Sequence, residues 1–366
     1  MSKLQVVRVE LAHSPYEIQI GAGLLRQADQ FIAACGTFSQ VVLITDANVE
    51  EPHARAVAEL LADAGHAVHL LVVDAGESSK STEVASALWE RLLDAGIDRK
   101  GLVIAVGGGV VGDLAGFIAA TFARGLAFVQ MPTTLLAQVD SSVGGKVGVN
   151  LPAAKNIVGA FWQPQGVLID PESLSTLPER EYRSGLAEVV KYGVIQDAEF
   201  FTWLEENAEA LNERQADALV RTIARCCELK AEVVVADERE TSGLRAILNY
   251  GHTFAHAIET VTDYGQFLHG EAVAIGMVQA AQLAQRMQRV DEDFTSRITR
   301  LLEKFHLPTS SPEALDPDAL LAAMSKDKKA EHGQLRFVLP TRLGQVELTG
   351  DVDTGDVRAV LEGNGV

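Results

Sequence analysis

Apolar and polar positions fall into two textures along this chain. Between residues 41 and 130, short apolar runs at 41–45, 68–73, 102–106 and 126–130 read as strands. The segments between them, 52–64, 82–95 and 110–121, carry helical spacing; proline opens the first and Gly96 stops the second. This alternation predicts right-handed crossovers and a parallel sheet that holds ligands beyond the carboxyl ends of its strands. The first forty or so residues add strand, turn and strand, closed by Gly21-Ala-Gly23, and then a helix. After Pro171 the strand signal fades, and helical patterns dominate from Glu181 to about His306. A late pair of β-rich stretches, 335–339 and 345–348, reads as a hairpin. The expected fold is α/β: a Rossmann-like parallel-sheet domain over residues 1–180, then a mainly α-helical, metal-binding domain over 181–366.

The helical half carries a cluster of imidazoles. His252 and His256, in Asn249-Tyr-Gly-His-Thr-Phe-Ala-His256, are four apart and share a helical face, and His269 follows in Leu-His-Gly-Glu271. Glu188, set among Leu186, Ala187, Val189 and Val190, can face water or a cleft. Any one of these could be an ordinary core or surface residue. Glu188, His252 and His269 on one zinc-like ion, with His256 free, account for all four; open coordination positions would then take substrate oxygens.

The sheet half carries glycine chemistry. Gly107-Gly-Gly109-Val110-Val111-Gly112-Asp113 follows a strand and opens a helix, which suits backbone N–H contact with a pyrophosphate. No acidic residue follows at the ribose-binding distance, so Asp46 and Glu77 are the candidates, each equally able to cap a helix. Thr133 and Thr134 add hydroxyls at the same edge. The segment Gln138-Val-Asp140-Ser-Ser-Val-Gly-Gly-Lys146 looks like a phosphate-gripping turn without nucleoside-triphosphate spacing. Lys146, Lys155, Lys191 and Arg124 form a positive set that favours an anionic small substrate.

Composition narrows the partners. At 366 residues, 47% hydrophobic and 22% charged, the chain has the makings of two ordinary globular cores. A net charge of −19 argues against nucleic acid and against anionic membranes. Cys35, Cys226 and Cys227 form no disulfide framework and suit a reducing compartment. The first residues lack a leader's apolar core, and no apolar run reaches the roughly 20 residues of a membrane span. A cytoplasmic protein is expected.

Five stretches, taken in order, closely resemble the 3-dehydroquinate synthase family of sugar phosphate cyclases. They are Gly107 to Phe117 (GGGVVGDLAGF), Pro132 to Lys146 (PTTLLAQVDSSVGGK), Ser184 to Gly193 (SGLAEVVKYG), Leu248 to Glu259 (LNYGHTFAHAIE) and Leu268 to Met277 (LHGEAVAIGM). Val147 and Ala255 depart from the family pattern, where threonine and glycine are usual, and neither is a reacting group. The resemblance implies conversion of 3-deoxy-D-arabino-heptulosonate 7-phosphate into 3-dehydroquinate and phosphate, the second step of the shikimate pathway. It implies catalytic NAD⁺, a divalent zinc or cobalt ion and a homodimer. It places metal ligation on Glu188, His252 and His269. NAD contacts fall on Asp46, Glu77, Lys80, Gly109, Val110, Val111, Gly112, Asp113, Thr133, Thr134, Lys146, Lys155, Ser173, Leu174, Ser175 and Thr176. Substrate contacts fall on Asp140, Lys146, Asn156, Lys191, Lys230, Arg245, Asn249 and His256, with Arg124 reaching a neighbouring subunit's site and Lys328 a further phosphate contact. The competing readings are a metal-dependent polyol dehydrogenase, a sister cyclase making a valiolone- or inosose-type ring, and a non-catalytic NAD-binding regulator.

Overall fold

The computed structural model describes residues 4–152, 154–263, 265–311, 315–326 and 335–363. The chain divides into two compact units, residues 1–178 with 216–239 and residues 179–215 with 240–366.

The first unit is built on nine strands: β1 (Gln5–Val9), β2 (Tyr16–Ile20), β3 (Val41–Asp46), β4 (Val68–Val73), β5 (Leu102–Gly107), β6 (Ala127–Pro132), β7 (Lys146–Leu151), β8 (Ala154–Phe161) and β9 (Gly166–Ile169). Seven of them form one sheet in the order β1-β2-β9-β6-β5-β3-β4. Only the β1/β2 pair is antiparallel. The six residues of β5 are all buried, as expected of a central strand with both faces covered. Helices Ala28–Cys35 and Arg55–Asp63 seal one face. Helices Thr82–Asp94 and Gly109–Thr121, with β7 and β8, seal the other. Because β3 lies between β4 and β5, the winding reverses there, and the crevice at the carboxyl ends of β3 and β5 is the switch point of the sheet.

Two features differ from the expectation. The glycine–lysine segment that resembled a phosphate-gripping turn leads into the antiparallel hairpin β7–β8, with Lys146 paired to Phe161. Its strand signal was masked because Gly148 and Gly159 oppose each other and interrupt the apolar alternation. Helix Ala216–Ala236 belongs with the first unit although it was grouped with the helical domain. Periodicity marks a helix and its apolar face, but not the element that face will cover.

The second unit is helical: Glu179–Gln196, Ala198–Glu206, His252–Val261, His269–Arg286, Glu292–Lys304 and Thr354–Leu361 among its helices, with the late hairpin present as β10 (Phe337–Arg342) and β11 (Gln345–Thr349). Asp197 and Asp291 cap their helices by accepting bonds from Phe200 N and Phe294 N at 2.9 and 3.0 Å. His269–Arg286 is the buried hub, packed against Glu179–Gln196, His252–Val261 and β10. No helix among the described residues is long and apolar enough to cross a membrane.

Candidate functional site

Missing side chains bring the hub's neighbours close. A Cβ on Gly270 would sit 1.8 Å from the Ser184 carbonyl oxygen, so only glycine lets these two helices approach there. Gly270 N–H donates to Ser184 Oγ at 3.0 Å, tying the first turn of the hub to a point four residues before Glu188. Gly251 adopts φ +80°, and a Cβ there would meet Met277 N at 2.8 Å. That close approach starts the helix of His252 against the hub.

Three potential ligands converge as a result. Glu188 Oε1 lies 3.6 Å from His252 Nε2 and 3.7 Å from His269 Nε2. These atoms lie within 4.8 Å of one another, and Glu188 and His252 are buried. Such separations are too long for hydrogen bonds. Ligands in a tetrahedral shell with bonds of about 2.1 Å stand roughly 3.4 Å apart, so the spacing fits a zinc-sized ion. Each imidazole is also oriented through its other nitrogen: His252 Nδ1 to the Tyr250 carbonyl at 3.1 Å, His269 Nδ1 to Glu259 Oε1 at 3.0 Å. Both partners only accept, so Nδ1 carries a hydrogen in each ring and Nε2 is the nitrogen turned to the cluster and available to an ion. Burial alone would push the His269 imidazole down, yet Glu188 and Glu259 outweigh it and hold the pKa up at about 10. The pocket therefore favours positive charge, which a divalent cation supplies.

Around this centre stand further predicted groups. Lys191, buried at 2% exposure, forms an ion pair with Glu188 Oε2, the oxygen turned away from the imidazoles. The His256 ring lies edge-on to that of His252, with centroids 5.6 Å apart. Arg245 is buried and sits 3.5 Å from Glu240, and Asn249 ends the same short 3-10 turn. Glu271, next to the third histidine in sequence, does not join the cluster. It pairs with Arg180 at 2.7 and 2.8 Å and accepts from Leu268 N at 2.8 Å, fixing the hub's N-terminus. Sequence reasoning missed Glu259, though it lies seven residues after His252 and three after His256, on the same helical face.

In the first unit, predicted nucleotide groups lie along the carboxyl edge of the sheet, where the strands β3, β4, β5, β6 and β9 end. Asp46 ends β3, and its Oδ1 accepts from Asn48 N and Val49 N at 2.8 and 3.2 Å. Helix Gly109–Thr121 follows β5 with no side-chain cap on its first turn. A Cβ on Gly112 would lie 2.8 Å from Gln130 Oε1, so glycine there lets the helix pack closely against the side chain from β6. Val110, Gly109 and Asp113 are half-buried, whereas Val111 and Leu174 are sealed in the core and offer a ligand only their backbone. Thr133 follows β6, and Thr134 Oγ1 caps the next turn at Ala137 N, 3.2 Å away. Ser173, Leu174, Ser175 and Thr176 lie on the 3-10 turn after β9, where Thr176 Oγ1 meets His53 Nε2 at 2.7 Å. Lys80, buried, reaches Asp113 at 2.5 Å and contacts Asn156 Oδ1, while Glu77 accepts from Asn150 at 2.7 Å. The hairpin tip bearing Lys155 and Asn156 is thereby tied to the nucleotide edge. Lys230 pairs with Asp140 at 3.0 Å. Lys146 is exposed at the start of β7, and Arg124 is exposed in a turn with φ +68°. Lys328 lies outside the described residues.

Residues 70–184 match the 3-dehydroquinate synthase N-terminal family model and residues 185–330 the C-terminal one. The chain is 52% identical over 364 residues to the 3-dehydroquinate synthase of Rhodopirellula baltica, covering 98% of this chain and 97% of that protein. It is 50% identical over 355 residues to that of Desulforamulus reducens, covering 97% and 99%. This chain belongs to the 3-dehydroquinate synthase family. Among solved structures it is similar to a 2-deoxy-scyllo-inosose synthase complexed with carbaglucose-6-phosphate, NAD⁺ and Co²⁺. That match has a TM-score of 0.90 and 29% identity, covering 99% of this chain and 100% of the other. The 2-epi-5-epi-valiolone synthase of Streptomyces hygroscopicus, with NAD⁺ and Zn²⁺ bound, gives 0.87 and 31%, covering 96% and 97%. A probable glycerol dehydrogenase from Sinorhizobium meliloti, at TM-score 0.62 and 14% identity, shares the fold.

Proposed function

We propose that this chain converts 3-deoxy-D-arabino-heptulosonate 7-phosphate into 3-dehydroquinate and phosphate, as a carbon–oxygen lyase of the shikimate pathway. The observation that carries the reading is the Glu188–His252–His269 cluster at ion-binding separations, inside a stretch that matches the family model. When bound, NAD⁺ would supply reversible hydride chemistry, and a divalent zinc or cobalt ion held by Glu188, His252 and His269 would supply Lewis-acid chemistry to neighbouring substrate hydroxyls.

The protein's own share is placement and charge. Glu188, His252 and His269 hold the ion, and Lys191 brings a cation beside it for an anionic substrate. His256 is left free of the ion, so its imidazole can hold or pass a proton on a ring nitrogen as the substrate's phosphate departs. Arg245, Asn249, Lys146, Asn156 and Lys230 supply donors for the carboxylate and phosphate, with Asp140 accepting from Lys230 or from a substrate hydroxyl. Asp46, Glu77, Lys80, Lys155, the Gly109–Asp113 turn, Thr133, Thr134 and the 173–176 turn receive the dinucleotide. Arg124, exposed on its left-handed turn, extends to a second copy's site in a homodimer. A cytoplasmic location, with neither nucleic acid nor membrane as partner, accords with the net charge of −19.

The sister cyclase reading has the solved structures of 29–31% identity on its side. Relatives at 50–52% identity with near-complete coverage favour dehydroquinate. The deciding experiment supplies metal-replete protein with the heptulosonate phosphate and sub-stoichiometric NAD⁺, and follows phosphate and NADH. Many turnovers of phosphate without net NADH are expected. No phosphate release would refute the reading, and net NADH from a simple polyol would replace it with a dehydrogenase.

A further inference from the structure

The two histidine ligands are not held alike. His252 has an 11% exposed side chain, and its Nδ1 partner is the uncharged carbonyl of Tyr250, two residues away. His269 is the first residue of its helix, and its side chain is 36% exposed, so packing holds its ring less tightly than that of His252. A helix N-terminus also carries partial positive charge, which opposes a cation bound there. Glu259 answers both problems. Its side chain is 12% exposed, and its Oε1 sits 3.0 Å from His269 Nδ1, on the ring edge opposite the ligating nitrogen.

We propose that Glu259 is a positioning residue for the metal centre: it fixes the rotamer and tautomer of His269 and adds the second negative charge that balances the ion. The inference rests on the metal-dependent reading above, but its test does not depend on turnover. Outer-shell carboxylates of this kind typically contribute about 10–100-fold to metal affinity. Glu259→Gln keeps the side chain's size and can still meet Nδ1, but removes the charge. Glu259→Asp keeps the charge and shortens the reach.

The experiment titrates Co²⁺ into metal-stripped protein and follows its visible absorption, with thermal melting of the stripped forms as a check on folding. Glu259→Gln should weaken Co²⁺ binding by about 10–100-fold, and excess Co²⁺ should restore the parent's absorption spectrum and activity. Glu259→Asp should fall between the two and covers the case in which the glutamine variant misfolds. Unchanged Co²⁺ affinity in a folded Glu259→Gln protein would overturn the inference. So would a loss of activity that persists at full Co²⁺ occupancy. If the parent binds Co²⁺ but releases no phosphate, the proposed reaction falls while the titration still decides Glu259.

Discussion

The metal cluster and the nucleotide edge use opposite strategies. At the edge, groups sit where their own strand ends: Asp46 after β3, the 107–113 glycine turn after β5, Thr133 after β6, the 173–176 turn after β9. Each is placed by local chain direction, and several are half-exposed. The cluster draws Glu188, His252 and His269 from three helices, buries two of them and gives each histidine a second partner. If the edge receives a dinucleotide as proposed, each contact is a small part of a long ligand's binding, and local change there should be tolerated. A cluster of three ligands has no such reserve.

The comparison should break hardest at His252. His252→Ala should abolish tight metal binding and reduce turnover by more than the roughly 100-fold typical of outer-shell changes, with the melting temperature of the stripped protein nearly unchanged. Metal analysis beside a phosphate-release assay checks it; full metal and activity in the variant would dissolve the ligand assignment. Gly270→Ala comes next, because its Cβ would collide with backbone rather than with a flexible side chain. A loss of about 1–3 kcal/mol in denaturant unfolding is expected, together with weaker metal binding as His269 shifts. Stability equal to the parent would show that the Ser184 contact can relax freely.

At the edge the effects should be smaller and confined to the cofactor. Asp46→Asn should raise the KM for NAD⁺ by about 10-fold, the scale of a lost charge-assisted hydrogen bond, and leave kcat and metal content alone. A change in metal content would mean the two regions are not separable. The smallest effect concerns Cys227, whose burial raises its thiol from 9.0 to about 12. The unfolded chain releases that proton first, so stability should decline as pH rises from about 9 toward 12. Near pH 8 the native thiol should resist alkylation, measured against the denatured chain by mass spectrometry; equal labelling would place Cys227 outside the core.

Legibility followed the same divide. The strands of the parallel sheet and the glycine turn of β5 stood out because their signals are contiguous. The candidate metal ligands were legible as residue types, and His252 also through its helical spacing from His256. That spacing alone could not say which histidine ligates; accounting for all four groups together suggested His252, and the family resemblance implied the same. Glu259 went unread although its spacing was in view, because a carboxylate on an apolar helix has many commoner uses. The β7–β8 hairpin was hidden by opposed glycines.

By itself the sequence determined the parallel α/β half, the helical half and the stock of ligating and cationic groups, because periodicity and motif are properties of neighbouring residues. Tertiary structure alone decided that helix Ala216–Ala236 joins the first unit, that Glu188 Oε1 lies 3.6–3.7 Å from two imidazoles, and that Glu259 backs the exposed one. Those facts depend on how closely helices distant in sequence can approach. The approach is set by absent side chains such as that of Gly270, whose effect appears only once its neighbour is known.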